Sequence, residues 1–189
     1  DAANPAPVTT VPASRDITIR DILTHTSGLW SIGIPNPGVP NGDAPGATLP
    51  SVVLQYAKVP LDFQPGTKWA YSNRAAFDVL ARVIEIASGQ SFDKFLKERI
   101  FEPLGMKDAG YHPQTDARAP RLYLGQPLTA IGSSTTYTSG AAGLSMTAED
   151  LWRFAQMLDN RGEFNGTRIV SPATVDMMAS NHVGDMFPG

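Results

Sequence analysis

The chain of 189 residues has no cysteine. Disulfide bridges and thiolate metal sites are thereby excluded, while the compartment stays open between periplasm or secreted space and cytoplasm. No apolar run is long enough to span a bilayer, so no membrane span is expected. No run of basic residues stands out either: 15 Lys and Arg face 18 Asp and Glu for a net charge of −3, which argues against nucleic acid as a partner. Histidine is scarce, and His25, His112 and His182 are scattered without ligand spacing, so neither a metal site nor a cofactor is expected. Ser139-Gly140-Ala141-Ala142-Gly143 is neither a phosphate loop nor a nucleophile elbow, because Gly-x-Gly-x-x-Gly, the Walker lysine and Gly-x-Ser-x-Gly are all missing. Internal repeats and low-complexity tracts are absent, and Asp1 to Pro5 does not have the pattern of a signal peptide.

What is present reads as globular, with 42% hydrophobic and 17% charged residues, enough for one sizeable domain. Gly (17) and Pro (16) predict long, turn-rich connections. Residues 1–16 read as an extended, Pro-rich lead-in. A helix is expected at about 18–26, with Thr18 as N-cap, Ile19, Ile22 and Leu23 as its apolar stripe and Gly28 as its stop. His25 falls in its last turn, where a partly cationic imidazole suits the dipole. Residues 31–50 form a Pro/Gly-rich loop of a length that often lines a site, and 50–59 a short helix. The clearest helix spans about 73–88. Ala76, Leu80, Val83, Ile84 and Ala87 make its apolar face, and Asp78 and Arg82 are spaced for an ion pair on the other. Further helices follow from Ser91 to about Phe101, stopped by Pro103, and from Thr147 to Gly162, with Leu151, Phe154, Ala155 and Leu158 facing the core. Arg121–Leu124 reads as a short strand, Asn165-Gly166 as a hairpin turn, and Ser171-Pro172 as the start of a last helix.

Between these helices the stretch Pro65-Gly66-Thr67-Lys68-Trp69-Ala70-Tyr71-Ser72-Asn73 is the most informative. A Pro-Gly turn and a short aromatic segment set Tyr71 just ahead of a helix N-terminus, where the dipole favours negative charge. A phenol ordinarily titrates near ~10, so it serves as a base at neutral pH only with a cation close by. From the residues alone two readings stay open: a proton acceptor, or an aromatic packed at a helix entrance with Ser72 or Asn73 as the cap.

A series of segments carries a family resemblance: Ile17 through Thr24-His25-Thr26-Ser27-Gly28-Leu29, Phe63-Gln64-Pro65-Gly66 through Tyr71-Ser72-Asn73, Phe101-Glu102-Pro103-Leu104-Gly105-Met106, Ser139 to Leu144, and Thr147 to Leu158. In order and spacing, over nearly all of 16–182, the chain resembles the serine β-lactamase and penicillin-binding-protein superfamily. Class C β-lactamases, related carboxylesterases and D-alanyl-D-alanine peptidases are the most similar branches. The resemblance implies an α+β fold of the β-lactamase/transpeptidase type, this chain being mainly its helical lobe with few strands. It implies acyl transfer from an ester, a β-lactam or a D-Ala peptide through an acyl-serine. Tyr71 would be the catalytic base, and Asn73 a substrate-binding residue on the amide or ester side. Trp30, at the head of the long loop, is a further candidate substrate contact.

Two of the family's three active-site elements, Ser-x-x-Lys and a Lys/His-x-Gly strand, have no counterpart at the right place here. Residues 17–189 are therefore expected to be the central part of such a domain, with N- and C-terminal parts absent and open to being supplied as separate chains. The helices at 73–88 and 147–161 should then show apolar faces that want a sheet. Ser91-Phe92-Asp93-Lys94 fits Ser-x-x-Lys literally but follows Tyr71, so it reads as a helix cap. His182-Val183-Gly184 reads as a loop, and Glu149-Asp150 as first-turn acids on a capped helix rather than paired catalytic carboxylates. The alternative from another class is a non-catalytic binding or interaction module on the same scaffold.

Overall fold

The computed structural model describes residues 9–31, 46–72, 74–111 and 138–186. Helix α1 (Ile19–Leu23) is short because its end is fixed by backbone geometry. Thr18 and Asp21 close a capping box at its start. At its end Thr26 N–H donates to the Asp21 carbonyl at 2.8 Å and His25 N–H to that of Ile22 at 3.3 Å, with His25 in the left-handed region at φ 57°. That pattern is a Schellman stop. The stop therefore falls on His25, three residues earlier than the expected Gly28. Of the expected stripe only Ile22 is buried, while Ile19 and Leu23 are exposed. Asp21 is buried and ion-paired with Arg15 at 2.7 Å, and this guanidinium, with the Thr18 bonds, holds its carboxyl well below the usual carboxylate range.

Helices α2 (Leu49–Tyr56) and α4 (Phe92–Leu96) pack on α3 (Ala75–Ser88), with Leu49, Val52, Tyr56, Ala75, Ala81 and Phe92 forming one buried cluster. The side of α3 that carries Ala75, Val79, Ala81 and Ile84 is thus covered by helices rather than by strands, while Leu80 and Val83 of the expected face are half-buried outside this cluster. Ala87 on the expected face is exposed, and Asp78 on the expected solvent face is fully buried. Arg82 pairs with Glu85 at 2.9 Å. After α4 the chain makes one π turn (Lys97–Phe101) and continues into α5 (Glu102–Leu104). Pro103 does not stop the helix. It lacks an N–H and its ring would crowd the carbonyl one α-turn back, and the wider π turn ahead of it accommodates the ring. The stop comes at Gly105, φ 67°, with Met106 N–H bonded to the Phe101 carbonyl at 2.8 Å.

Helix α6 (Ala148–Asp159) starts at a Thr147/Asp150 capping box and ends in the same way as α1, here with Arg161 in the left-handed position at φ 58°. The hairpin β1 (Glu163–Phe164) to β2 (Thr167–Arg168) turns on Asn165-Gly166, both with positive φ. It folds back so that Phe164 joins Phe101, Leu104, Met106 and Met157 in a second buried cluster. Met157 is the buried anchor of α6, and Phe154 and Leu158 of the expected face pack beside it, whereas Leu151 and Ala155 are exposed. Helix α7 (Pro172–Met178) is capped by the Ser171 hydroxyl, which accepts from Thr174 N–H at 3.1 Å. No helix among the described residues is long and apolar enough to cross a membrane. The Arg121–Leu124 segment and His112 lie outside the described residues.

Candidate active site

Residues 25–31 and 62–72, far apart in sequence, zip together ahead of α3. Asp62 N–H donates to the Gly28 carbonyl and Gly66 N–H to the Thr26 carbonyl, both at 2.8 Å, and Ser31 N–H donates to Asp62 Oδ2 at 2.7 Å. Gly28 is required at this closure: its φ is +76°, and a Cβ there would lie 2.2 Å from the Phe63 carbonyl oxygen.

Tyr71 lies at the far end of this zipper. Ala70 N–H donates to the His25 carbonyl at 3.1 Å, and Ser72 N–H to His25 Nδ1 at 3.4 Å. Ser72 is 1% exposed, and its hydroxyl donates to the Trp30 carbonyl at 3.0 Å while accepting from Ala76 N–H at 3.2 Å. The N-cap of α3 is Arg74, without a side-chain cap, rather than Ser72 or Asn73; Ser72 instead satisfies a first-turn N–H and ties the helix to the loop that begins at Trp30. The Tyr71 ring, 39% exposed, is 4.6 Å from the His25 ring and 6.2 Å from Phe77, centroid to centroid. No group among the described residues bonds its hydroxyl. Trp69 and Phe77 meet His25 edge-on at 6.2 Å and 5.5 Å. Burial among these rings lowers the His25 pKa from its ordinary value. Burial thus favours the neutral imidazole, with Nδ1 accepting from Ser72 N–H, in contrast to the partly cationic helix-end histidine expected from the sequence.

One turn into α3, Asp78 organises a second junction. Its Oδ2 accepts from the Tyr56 hydroxyl at 3.1 Å, and its Oδ1 accepts from the Ser139 hydroxyl at 2.7 Å and from Gly140 N–H at 2.9 Å. Tyr111 donates to the Ser139 carbonyl at 2.8 Å, and burial together with the carboxylates of Asp78 and Asp93 pushes its phenol pKa up, which keeps it a donor. Gly140 lies so close to α3 that a Cβ would be 2.3 Å from the Phe77 carbonyl oxygen. The Ser139–Gly140 backbone is thereby fixed against the backbone of Phe77, whose ring meets both Tyr71 and His25.

The structure brings Tyr71 and the Trp30 backbone to one place through Ser72; Asn73 lies outside the described residues. Ser91 and Lys94 form no catalytic pair: Ser91 is exposed at the start of α4, and Lys94 Nζ is 3.8 Å from Glu98 Oε1. His182 lies in a loop, its Nε2 on the Met177 carbonyl at 2.6 Å and its Nδ1 3.2 Å from Arg20 Nη1. Asp150 belongs to its helix cap and Glu149 to an ion pair with Arg153 at 2.6 Å. Among the described residues no group of three or more His, Asp or Glu is arranged to hold a metal ion. A groove of about 690 Å³ between residues 9–13 and 57–64 contains none of the expected site residues. Sequence reasoning missed His25, Ser72 and Asp78 as parts of one assembly. The available signal was His25-Thr26-Ser27-Gly28, a polar turn following a helix too short to bury it.

A model of the Beta-lactamase family matches residues 3–187. The chain belongs to the β-lactamase family. It is 32% identical over 199 residues to the lovastatin esterase of Penicillium rubens, covering 92% of this chain and 46% of the esterase. It is 30% identical over 180 residues to penicillin-binding protein 4 of Amycolatopsis lactamdurans, covering 90% of this chain and 46% of that protein. Among solved structures, EstCE1, described as a hydrolase with promiscuous acyltransferase activity, superposes with a TM-score of 0.69 at 24% identity, over 92% of this chain and 54% of its own. The fold is of the β-lactamase/transpeptidase type, and the described part of this chain is its largely helical portion, with a single two-stranded hairpin. The kinship is with β-lactamase-like hydrolases, esterases and penicillin-binding proteins. The chain spans about half the length of these relatives.

Proposed function

We propose that the chain is part of a serine acyl hydrolase in which Tyr71 is the general base for acyl transfer from an ester, a β-lactam or a D-Ala peptide to a serine and then to water. The observation that carries this reading is a solvent-accessible phenol with no hydrogen-bond partner among the described residues, on a backbone bonded at the residues on either side of it. A packing aromatic needs no such support, whereas a group that must meet a substrate in one geometry does. The family membership and the Tyr71-Ser72-Asn73 match support it further. In this reading residues 17–189 are the central part of the domain, and a Ser-x-x-Lys segment ahead of them supplies nucleophile and lysine. Asn73 binds the amide or ester side of the substrate, and Trp30 borders it.

The lysine has a defined task. A helix N-terminus stabilises a nearby anion by at most ~1 kcal/mol in exposed settings. One pKa unit is ~1.4 kcal/mol, so the dipole alone leaves a phenol far from a working base at neutral pH. A cation beside it is needed. The test compares the protein at its full natural length with its Tyr71→Phe variant on a p-nitrophenyl ester and a chromogenic cephalosporin. Phenylalanine keeps the ring and deletes the proton acceptor, so stability should hold while turnover falls by ~10²–10⁴, the worth of a positioned acid–base group. Turnover within about threefold of wild type on both substrates, under ~1 kcal/mol, would make Tyr71 an ordinary surface aromatic.

A further inference from the structure

We propose that His25 is the positioning residue for Tyr71, acting through Nδ1 on the Ser72 amide. The inference rests on the reading of Tyr71 given above. Tyr71 is the one residue between the two amides that bond to His25, Ala70 N–H on its carbonyl at 3.1 Å and Ser72 N–H on Nδ1 at 3.4 Å. The rings of His25 and Tyr71 are 4.6 Å apart at 45°, with Trp69 and Phe77 closing around the imidazole. The conformation of His25 adds a separate argument. It is the left-handed residue of a Schellman stop, φ 57°, a position where glycine or asparagine is the ordinary choice. The stop itself needs only the backbone. A bulky imidazole here is accounted for by what its side chain does, which is to reach Ser72 and Tyr71.

The device works only while Nδ1 carries no proton. Protonation sets a second N–H against Ser72 N–H, and the imidazolium charge weakens the neighbouring phenol as a base. Burial among aromatic rings opposes this. The ionisable groups of the packed elements are accounted for. Asp21 on the preceding helix is paired with Arg15, and Arg20 contacts His182. Asp62 accepts from Ser31, and Lys68 is exposed. Asp78 is engaged by Tyr56 and Ser139, and Arg74 stands at the start of α3. Tyr71 is the titratable group whose ring meets the imidazole. Because the His25 pKa is depressed on folding, the ordered arrangement is complete above the ordinary imidazole value of ~6.5 and is lost as pH falls through the folded value.

The experiment compares the full-length wild type with His25→Asn, His25→Gln and Tyr71→Phe from pH 5 to 9, with nitrogen NMR of the imidazole in the wild type. Asparagine tolerates the left-handed backbone and places Oδ1 where Nδ1 stood. Glutamine carries its oxygen one bond further and does not tolerate that backbone as well. His25→Asn should keep kcat at pH 8 within about threefold of wild type and lose the step of the acid limb that follows the imidazole, leaving the step of the general base, whereas His25→Gln should lose about tenfold to a hundredfold in kcat with little change in KM. The NMR should show Nδ1 unprotonated at pH 7, with a titration midpoint equal to that of the lost step. Equal loss in the Asn and Gln variants, an acid limb in His25→Asn identical to that of the wild type, or a protonated Nδ1 at pH 7 each overturns the proposal. Tyr71→Phe separates the two claims. If it is depressed while the histidine variants behave alike, only the role of His25 is wrong. If it is near wild type, the reading of Tyr71 fails and the positioning role fails with it.

Discussion

A fully buried carboxylate is stable only if its lone pairs are used, and among the described residues Asp78 uses them on three donors from two parts of the chain: the Tyr56 hydroxyl on one side, and the Ser139 hydroxyl and Gly140 N–H on the other. Removing it leaves each of those groups short of an acceptor in a place water does not reach. We expect Asp78→Ala to cost about 3 kcal/mol or more, and Asp78→Asn about 1–3 kcal/mol, because the amide keeps one acceptor but turns a donor toward another donor. Urea unfolding reads this as a lower midpoint with unchanged slope. A loss below ~1 kcal/mol for Asp78→Ala would mean that water enters the junction or that the carboxylate is dispensable. Nothing local announces this role. Asp78 and Arg82 have the spacing of a surface ion pair, and the groups that make Asp78 a core residue come from 22 residues before it and 61 residues after it. The place of Tyr71 was legible because it is written in its neighbours, a turn before it and a helix after it. His25 was not, since its role depends on a left-handed backbone that a sequence pattern does not display.

At the scale of elements, most helix starts were legible and helix faces only in part. Thr18, Thr147 and Ser171 each cap the helix they were expected to cap, because a cap is a bond between residues three apart and is carried by the sequence itself. Faces are decided by what packs against a helix from elsewhere. For α6 that is the β1–β2 hairpin and α5, which select Met157 as the buried residue and leave Leu151 and Trp152 outside. Pro103 shows the same limit: a proline that reads as a stop is carried by a single π turn. The capping box of α6 is also joined to the preceding loop, since Asp150 Oδ2 accepts from Asp108 N–H at 3.2 Å. Thr147→Ala should therefore lower stability by about 1 kcal/mol, and Thr147→Ser by only a few tenths. Thermal unfolding of the two variants side by side checks this. Equal melting temperatures would show that the Thr147 hydroxyl contributes nothing beyond its backbone.

At the scale of the whole molecule, the family was legible from a series of segments none of which is decisive alone, and the site was legible only in part. Large apolar side chains remain exposed on α1, α6 and α7, among them Leu23, Leu151, Trp152, Met177 and Met178. On α3 the side that carries Ala75, Val79, Ala81 and Ile84 packs on α2 and α4, while Ile86 is exposed. The serine question is likewise settled by geometry rather than by motif. A serine becomes a nucleophile when a base lies within hydrogen-bond reach, ~2.6–3.2 Å, and a third group orients that base. Ser91 is exposed at the start of α4 and its lysine partner by motif, Lys94, faces Glu98. Ser72 and Ser139 are buried with their hydroxyls donating to the Trp30 carbonyl and to Asp78. Ser27 is buried and accepts from Leu29 N–H at 3.2 Å. None of these four has the arrangement of an activated hydroxyl. Treated with a fluorophosphonate or a penicillin and digested, the protein should yield every peptide that carries Ser27, Ser72, Ser91 or Ser139 at its unmodified mass. Stoichiometric labelling at Ser91 would be the most damaging result, because it would place the nucleophile after Tyr71 in the chain and break the order of segments on which both the family alignment of the site and the role of Tyr71 depend.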